Sequence, residues 1–264
     1  MIKLREYQGD TISDSKKQMA GNKHILVASP TGSGKTVMFS YISQGVIAKG
    51  KKVCLFSNRI ELNNQTGSTL SSFGVDFDLI TAKHTKIPTK NCVVAMAQTF
   101  KNRIKKEEWV EWLKTIDLFV IDEAHIQDYN FLFESHLLDD KYVLGFTATP
   151  IRCGKQRQLG LDYSVIVNGV SVKELLDLEF LVPADHYTLD APDLSKIGIE
   201  STTGDYKQKQ MSEAFDNPKR YEGVIDNYNK LCPSTKSICF CCSQTHAIQT
   251  CIEFNKAGIK SKYL

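Results

Sequence analysis

The chain has 264 residues, of which 42% are hydrophobic and 24% are charged, and it carries a formal net charge of +3. That length can bury one large or two small cores, and the mildly basic balance permits a nucleic-acid partner without arguing for one. Because no apolar run reaches the ~18 residues of a membrane helix and residues 1–8 lack a signal-peptide core, we expect a cytoplasmic protein without a membrane partner.

The first predicted element is a polar amphipathic helix over residues 5–19, which begins with L-R-E-Y-Q. The simpler interpretation is an N-terminal cap helix. In the alternative, the amide of Gln8 reads an adenine edge, donating to N7 and accepting from the N6 amino group. The pentapeptide alone leaves both interpretations open.

Residues 27–36, V-A-S-P-T-G-S-G-K-T, lie between an apolar strand predicted at 25–28 and an amphipathic helix predicted at 37–48. A strand, a glycine-rich turn and a helix in that order are typical of a phosphate-binding loop. Ser29 stands where the pattern G-x-x-x-x-G-K-[ST] has its first glycine. We therefore predict a phosphate-binding loop with one departure.

The residue types of this loop suit a polyphosphate. Gly32 and Gly34 permit backbone angles that turn several N–H groups toward one point, and the helix N-terminus adds its dipole. Lys35 is expected to reach the β- and γ-phosphates, and the Thr36 hydroxyl to take one position on Mg²⁺.

Alternating strands and helices are expected to follow the loop. The predicted strands are 53–56, 77–80, 92–96, 118–121 and 142–146, and helices are predicted to start near 58 and 101 and to cover 105–114. Trp109 and Leu113 are spaced i, i+4 to face the core. This alternation predicts an α/β fold, a doubly wound parallel sheet that binds its ligand at the carboxyl ends of the strands.

The strand at 118–121 ends in two carboxylates, Asp122 and Glu123. An apolar run of this kind indicates a parallel strand that is buried on both faces and presents the acids at its carboxyl edge. Asp122 can hold Mg²⁺, commonly through water, and Glu123 can polarise an attacking water. The alternative, a strand that ends in solvated acids, is disfavoured by the phosphate loop upstream.

The strand at 142–146 ends in the sequence T-A-T-P. The hydroxyls of Thr147 and Thr149 could relay the nucleotide state from the neighbouring acids. They could equally belong to an ordinary turn into Pro150.

Past Pro150 the sequence changes character. We predict a basic flexible segment at 151–155, helices at 172–176, 218–231 and 245–256, a polar loop at 191–209, and a strand at 260–264, with Gly258 as a helix C-cap. The alternating segment S-I-C-F-C-C-S predicts a buried strand that contains Cys239, Cys241 and Cys242. Since the eight cysteines lack paired C-x-x-C spacing, we expect structural thiols in a reducing cytosol, with neither a zinc site nor disulfides.

Together these segments resemble a superfamily 2 helicase of the DEAH-box type. L-R-E-Y-Q at 4–8 is similar to the adenine-reading motif of that family, which favours the second interpretation of Gln8. S-P-T-G-S-G-K-T at 29–36 is similar to motif I, V-I-D-E-A-H at 120–125 to motif II, T-A-T-P at 147–150 to motif III, and S-I-C-F-C-C-S to the motif IV strand. T-A-T-P-I-R-C-G-K followed by F-L-V-P is most similar to RadD-type and phage-encoded DNA helicases.

The resemblance implies a RecA-like ATP-binding domain at 1–180 and the beginning of a second RecA-like domain at 181–264. It implies ATP hydrolysis with Mg²⁺, coupled to movement along nucleic acid, with DNA preferred, in a bacterial or phage-infected cytoplasm. Motifs V and VI, which supply arginine fingers, have no counterpart before Leu264. The resemblance therefore implies weak or no turnover by this chain, unless a protein partner or a further C-terminal segment completes the ATP site.

Carried over residue by residue, the resemblance also implies the roles of individual side chains. The catalytic residues are Glu123, Lys35 and Asp122. The ATP-binding residues are Arg5, Gln8, Thr31, Gly32, Ser33, Gly34, Lys35 and Thr36, and Thr36 and Asp122 hold the metal. The residues that couple the nucleotide state to movement are His125, Thr147 and Thr149. The residues that contact the nucleic-acid backbone are Arg59, Gln65, Gln98 and Thr99.

Two other classes of function remain open at this point. One is a module that binds ATP and nucleic acid with negligible turnover. The other is a P-loop ATPase that remodels protein partners, whose hydrolysis would be indifferent to nucleic acid.

Overall fold

The computed structural model describes residues 3–57, 60–152, 155–188, 193–201, 204–215 and 218–263; for 60–65, 218–220 and 222 it describes the backbone alone. The chain divides into two compact units. The first comprises Met1–Arg152 and Gln156–Ala184, and the second comprises Cys153–Lys155 and Asp185–Leu264.

The first unit is built on a seven-stranded sheet in which every pair of neighbouring strands is parallel. The strands are β1 (His24–Ala28), β2 (Val53–Ser57), β3 (Asp78–Ile80), β4 (Cys92–Met96), β5 (Leu118–Asp122), β6 (Tyr142–Thr147) and β7 (Val165–Asn168). Their order across the sheet is β3-β4-β2-β5-β6-β1-β7. The predicted doubly wound α/β fold is confirmed.

Helices cover both faces of this sheet. They are α1 (Glu6–Met19), α2 (Lys35–Ile47), α3 (Ile60–Ser72), α4 (Ala97–Arg103), α5 (Glu107–Lys114), α6 (Asn130–Glu134) and α7 (Val172–Asp177), with 3₁₀ turns at Gln127–Tyr129 and Leu159–Leu161. One core packs Phe39 and Leu70 of α2 and α3 against the sheet, and the other packs Phe100 and Trp109 of α4 and α5 against the opposite face. Trp109 and Leu113 are fully buried, as their spacing predicts. Because both faces are covered, the central strands carry almost uninterrupted apolar runs.

Two features of this unit differ from the sequence-based expectation. α4 begins at Ala97, directly after β4, so the helix starts before the basic residues at 101–103. β7 was not predicted. It is a four-residue edge strand in which Val167 is buried and Ile166 is 51% exposed, and a run this short is weak evidence of a strand by itself.

The described part of the second unit is helical, with α8 (Gln208–Phe215), α9 (Pro218–Leu231) and α10 (Gln244–Lys256). α9 and α10 match the predicted helices. Gly258 adopts a left-handed φ of +80° just past α10, which confirms its capping role. The predicted polar loop contains an isolated antiparallel bridge between Ile199 and Tyr206 and gives way to α8 at Gln208; residues 191, 192, 202 and 203 lie outside the described part.

The cysteine segment corrects one prediction. Residues 237–242 do not form a strand, and Ile238 and Phe240 are 83% and 91% exposed. A strand is stable only when a neighbour completes its ladder and one face is covered. No described strand pairs with this segment, and alternation in sequence cannot reveal whether a neighbour exists. Residues 260–263 likewise form no strand.

Seven of the cysteines lie in the described part, and each is a free thiol; Cys153 lies outside it. Burial raises the pKa of Cys54 well above its usual range and that of Cys92 to about 12, so both thiols stay protonated as core residues. Across the described ranges, no three His, Cys, Asp or Glu side chains come together as a metal site. No helix described here has both the length and the apolar character to cross a membrane.

Candidate active site

Three segments meet at the carboxyl edge of the sheet. The glycine-rich loop follows β1, the two carboxylates end β5, and Thr147 ends β6, which lies between those two strands. In register, Ala28 pairs with Thr147 and Asp122 pairs with Phe146. Parallel strands therefore bring the predicted phosphate loop and the predicted acids to one place.

The loop has the backbone that the sequence predicts. Gly32 and Gly34 have φ values of +87° and +82°, in the left-handed region that favours glycine. Gly34 precedes α2, whose first N–H groups, at Lys35 and Thr36, have no carbonyl partner within the helix. These unpaired donors at a helix N-terminus are suited to an anion.

Ser29, the departure from the loop pattern, is accommodated by a second glycine. Its side chain is buried and donates to the Ser33 hydroxyl at 2.8 Å, and Ser33 in turn donates to the carbonyl of Pro30 at 2.7 Å. A Cβ at Gly169, just beyond β7, would lie 2.8 Å from the Ser29 Oγ atom. The volume that Ser29 adds to the loop is therefore available because residue 169 has no side chain.

Lys35 projects from the loop toward the acids. Its ammonium group lies 3.4 Å from the carbonyl oxygen of Ser29 and 4.0 Å from Oε1 of Glu123, and its side chain is only 10% exposed. None of the described residues bonds to the Thr36 hydroxyl, which leaves it available as a ligand, and Thr31 is exposed. The loop thus presents a nearly buried cation and an unpaired hydroxyl beside a carboxylate.

Asp122 is a buried carboxylate. Burial, with the charge of Glu123 as a smaller cause, raises the pKa of Asp122 to about 6, although the Glu123 N–H and Lys35 oppose the rise. The Glu123 N–H donates to Oδ1 of Asp122 at 3.0 Å. The protein alone stabilises the ionised form of such a desolvated carboxylate poorly. A bound cation would stabilise the ionised form.

Glu123 has a φ of +49°, unusual for a residue with a side chain. Its side chain is 30% exposed and lies near Lys35 on one side and His125 on the other, with 3.5 Å between Oε2 and the His125 Nδ1 atom. Strained backbone persists only where its surroundings hold it in place. This site holds a carboxylate in a fixed position between two basic groups.

His125 connects the acids to the end of β6. Its Nδ1 atom lies 2.9 Å from the Thr147 hydroxyl, which donates to the Thr149 carbonyl and accepts from the Thr149 N–H. Since the one hydroxyl proton is directed to Thr149, Nδ1 of His125 is the donor to Thr147. Burial lowers the pKa of His125, with Glu123 opposing, so the ring is neutral at pH 7. The predicted coupling residues thus form one connected network.

Gln8 bonds to the protein through both atoms of its amide. Its oxygen accepts from the Arg5 N–H at 3.0 Å, and its nitrogen donates to the carbonyl of Ser33 at 2.9 Å. The Tyr7 hydroxyl donates to the same carbonyl at 3.1 Å. These bonds attach the start of α1 to the phosphate loop. Gln8 therefore has a structural role in the fold, and its adenine-reading role remains a prediction.

Sequence reasoning missed the segment after α7. Phe180 is 41% exposed, and the Arg5 guanidinium lies 3.6 Å from the centroid of its ring. A Cβ at Gly32 would lie 2.8 Å from the Leu181 side chain, so Leu181 covers the phosphate loop. The signal was the apolar pair in F-L-V-P, but no local pattern links residues 180 and 181 to a loop so far upstream.

Sequence reasoning also missed Arg152, which follows Pro150 closely. Its guanidinium is almost fully buried, bonds to the turn after Glu123, and lies 3.6 Å from Oδ2 of the buried Asp162. A lone arginine after T-A-T-P-I gave no local signal of this position.

The structure describes the side chains of only two of the four residues predicted to contact nucleic acid. Arg59 lies outside the described residues, and Gln65 is described only as backbone in α3. Gln98 is exposed and Thr99 half-buried on the first turn of α4, directly after β4. Because β2 and β4 pair in the sheet, their last residues, Ser57 and Met96, lie side by side on the edge that carries the site. A contact with nucleic acid remains a prediction for all four residues.

The sequence matches a known family and curated proteins. The family model described as "Type III restriction enzyme, res subunit" matches residues 1–152. A "51.5 kDa protein" of Lactococcus phage (isolate 7-9) is 27% identical over 242 residues, 90% of this chain and 48% of the phage protein. The "Putative ATP-dependent helicase IRC3" of Saccharomyces cerevisiae is 27% identical over 287 residues, 99% of this chain and 40% of the yeast protein. The chain spans about half the length of these relatives or less.

Solved structures share the fold. The Type ISP restriction-modification enzyme LlaGI, solved as a nuclease-deletion mutant with a DNA substrate mimic, superposes with a TM-score of 0.56 at 15% identity, covering 68% of this chain and 21% of that one. The helicase domain of Hef from Pyrococcus furiosus superposes with a TM-score of 0.54 at 18% identity, covering 97% of this chain and 54% of that one. At these identities the likeness concerns the fold, which matches the RecA-like sheet of helicases.

Proposed function

Because the chain belongs to the family of the Type III restriction enzyme res subunit, a family of superfamily 2 helicases, we propose that it carries the ATP-hydrolysing site of a nucleic-acid translocase or helicase. The observation that carries this proposal is the meeting of the phosphate loop with the acids of β5. The Lys35 ammonium lies 4.0 Å from Glu123 at the carboxyl edge of a parallel sheet. A fold by itself implies no reaction, but a phosphate loop beside two carboxylates supplies the groups that nucleotide hydrolysis uses.

Each residue of the site has a role in the proposed hydrolysis. The loop N–H groups and Lys35 bind the phosphates, and Glu123 orients and polarises the attacking water. The available hydroxyl of Thr36 and the desolvated carboxylate of Asp122 are the oxygen donors that would hold Mg²⁺, which neutralises phosphate charge when bound. We assign the adenine contact to Arg5 and Gln8, which lie next to the loop.

The proposed coupling runs from the acids to the end of β6. Glu123 lies next to His125, and His125 donates to Thr147. A change at the nucleotide phosphates would alter the environment of Glu123 and, through this neutral histidine, the turn formed by Thr147 and Thr149. Loops that respond to a γ-phosphate in this way are a recurrent switching device.

We propose DNA as the nucleic acid, contacted by Arg59, Gln65, Gln98 and Thr99. LlaGI was solved in complex with a DNA substrate mimic, which supports DNA as the nucleic acid. One curated relative is a phage protein, which agrees with the phage part of the proposed likeness to RadD-type and phage-encoded DNA helicases of the DEAH-box group. Short polar and basic groups suit contacts to phosphates, which set position without reading sequence.

We also propose that residues 181–264 begin a second RecA-like domain. The support is the likeness to the Hef helicase domain, which covers 97% of this chain.

The test is ATP hydrolysis measured without nucleic acid, with single-stranded DNA and with RNA of the same length, at low salt. We expect hydrolysis that DNA stimulates and that Lys35→Ala abolishes. Hydrolysis that nucleic acid leaves unchanged would favour a remodeller of proteins. ATP and DNA binding without hydrolysis would favour a binding module, and hydrolysis that survives Lys35→Ala would contradict the site itself.

A further inference from the structure

Resting on the proposed function, we infer that Arg152 is a positioning residue for hydrolysis, which holds Glu123 in its reactive place by binding the turn that follows it. The sequence motifs assign Arg152 no role. Three features of the structure point to this role: the bonds of the Arg152 guanidinium, the strained backbone at Glu123, and the burial of Arg152 and Asp162.

The guanidinium of Arg152 uses every hydrogen-bond donor that it has. Nε donates to the His125 carbonyl at 2.7 Å, and Nη2 donates to the carbonyls of Ala124 and Ile126 at 3.0 and 3.2 Å. Nη1 donates to the Asn130 side chain at 3.0 Å and to the Arg157 carbonyl at 2.8 Å. An arginine has five such donors, and three of them here bind three consecutive carbonyl groups.

Those three carbonyls belong to the residues directly after Glu123. The turn also closes on itself, since the Ile126 N–H donates to the Glu123 carbonyl at 2.9 Å, while the Ala124 N–H donates to the Phe146 carbonyl at 2.9 Å. With Glu123 at a φ of +49°, the chain reverses through a conformation that a non-glycine residue rarely adopts. The N–H groups of Ala124 and Ile126 bond to other parts of the chain, and Arg152 bonds to the carbonyl groups of the same turn, so both kinds of bond maintain this conformation.

The Arg152 guanidinium also lies next to a buried carboxylate. The Arg152 side chain is 1% exposed and lies 3.6 Å from Oδ2 of Asp162, whose side chain is fully buried. Asp162 also accepts a bond from Arg157 at 2.7 Å. A rigid, buried guanidinium fixes the positions of its acceptors, whereas a flexible surface side chain would follow them.

Lysine cannot replace this arrangement, since its single ammonium group cannot reach the separate acceptors of a planar fork. Glu123 would then sample other positions relative to a bound nucleotide. Because misplacing a catalytic group by about 1 Å can cost about 100-fold in rate, the turnover number should fall while the phosphate loop still binds ATP.

The matched control is Arg157→Ala. Arg157 shares the buried Asp162 with Arg152, but its side chain makes no bond to the turn at 124–126. Its loss should lower the melting temperature as a disrupted buried ion pair does. It should leave the turnover number within about twofold of wild type.

The experiment compares wild type, Arg152→Lys and Arg157→Ala for melting temperature, for the dissociation constant of ATP and for the turnover number of hydrolysis, well below every melting temperature. We expect Arg152→Lys to lower turnover at least about tenfold with the dissociation constant within about threefold. In a Glu123→Gln background the same substitution should have little further effect on the residual rate, because Arg152 acts through Glu123.

The positioning role would be overturned by equal turnover in Arg152→Lys and wild type, by an equal loss in Arg157→Ala, or by parallel losses of binding and turnover. A full additional loss in the Glu123→Gln background would also overturn it. If wild type itself fails to hydrolyse ATP, the proposed function falls together with this role. If wild type hydrolyses ATP and Arg152→Lys hydrolyses it equally fast, the positioning role of Arg152 is wrong and the proposed function stands.

Discussion

The Nδ1 atom of His125 lies 2.9 Å from the hydroxyl oxygen of Thr147, and this bond joins the turn after β5 to the end of β6. The same Nδ1 atom lies 3.5 Å from Oε2 of the Glu123 carboxylate. A neutral histidine between a carboxylate and a threonine can report a change at one to the other without a change in its own charge. This relationship leads to the first prediction.

Removing the link should separate hydrolysis from its response to nucleic acid. We expect His125→Ala and Thr147→Val each to lower the ratio of stimulated to basal hydrolysis at least about fivefold, the lower range of measured coupling between sites. Thr149 takes part in the network through its backbone N–H and carbonyl. Thr149→Val is therefore the control, with a smaller effect. Unchanged stimulation in Thr147→Val would contradict the coupling role.

The second prediction concerns pH. Burial raises the pKa of Asp122 from its ordinary value of 3.8 to about 6 in the folded protein. Between these values the folded state holds a proton that the unfolded state has released, so the metal-free protein loses stability as the pH rises from about 4 to about 6. The rise in pKa corresponds to about 3 kcal/mol when the group is fully ionised.

Asp122→Asn removes the buried charge and keeps the acceptor for the Glu123 N–H. In the presence of a chelator and without nucleotide, we expect this variant to have a higher free energy of unfolding than wild type at pH 7.5, with the difference shrinking toward pH 4. Denaturant unfolding at both pH values measures it. A difference that does not depend on pH would exclude this titration as the cause.

The third prediction concerns Ser29, which replaces a glycine of the phosphate-loop pattern. Gly169→Ala should force Ser29 aside, since the new Cβ would lie 2.8 Å from its Oγ and 3.1 Å from its Cβ. We expect weaker ATP binding and a destabilisation of about 1–3 kcal/mol, typical of overpacking. Adding Ser29→Gly should restore both. Failure of the double variant to recover would show that the space near Gly169 serves another purpose.

The fourth prediction separates the two roles of Gln8. Gln8→Glu keeps the oxygen that accepts from the Arg5 N–H but loses the nitrogen that donates to Ser33, whereas Gln8→Ala loses both. We expect both variants to bind ATP more weakly and to discriminate less between ATP and GTP. Both should also be less stable, Gln8→Ala by about 1 kcal/mol from its lost bonds and Gln8→Glu because it sets a buried carboxylate oxygen against the Ser33 carbonyl. Binding of both nucleotides is measured for each protein. Discrimination equal to wild type in both variants would leave Gln8 a purely structural residue.

The sequence was most informative where chemistry requires particular residues at short spacing. Lys35 and Thr36 follow a glycine turn, and Asp122 and Glu123 end an apolar strand, so their chemistry and their place at the sheet edge could both be predicted. The fold followed from the same alternation of strands and helices.

The sequence was least informative where a residue acts across the fold. Arg152 binds the turn after Glu123 and Leu181 covers Gly32, yet neither pairing leaves a local pattern. The segment around Cys239 has the alternation of a strand, but Phe240 is exposed because no described strand lies beside it. Pairing partners are a property of the folded chain, and periodicity alone does not specify them.

The fifth prediction concerns the proposed hydrolysis itself and is tested by Glu123→Gln, which keeps the shape of the side chain and removes its ability to polarise water. Glu134→Gln, an exposed glutamate of α6, is the matched control. The dissociation constant of ATP and the rate of phosphate release are measured in the presence of DNA. We expect Glu123→Gln to bind ATP within about threefold of wild type and to hydrolyse it at least about 100-fold more slowly, while the control matches wild type. Hydrolysis by Glu123→Gln at the wild-type rate would contradict the assignment of this site.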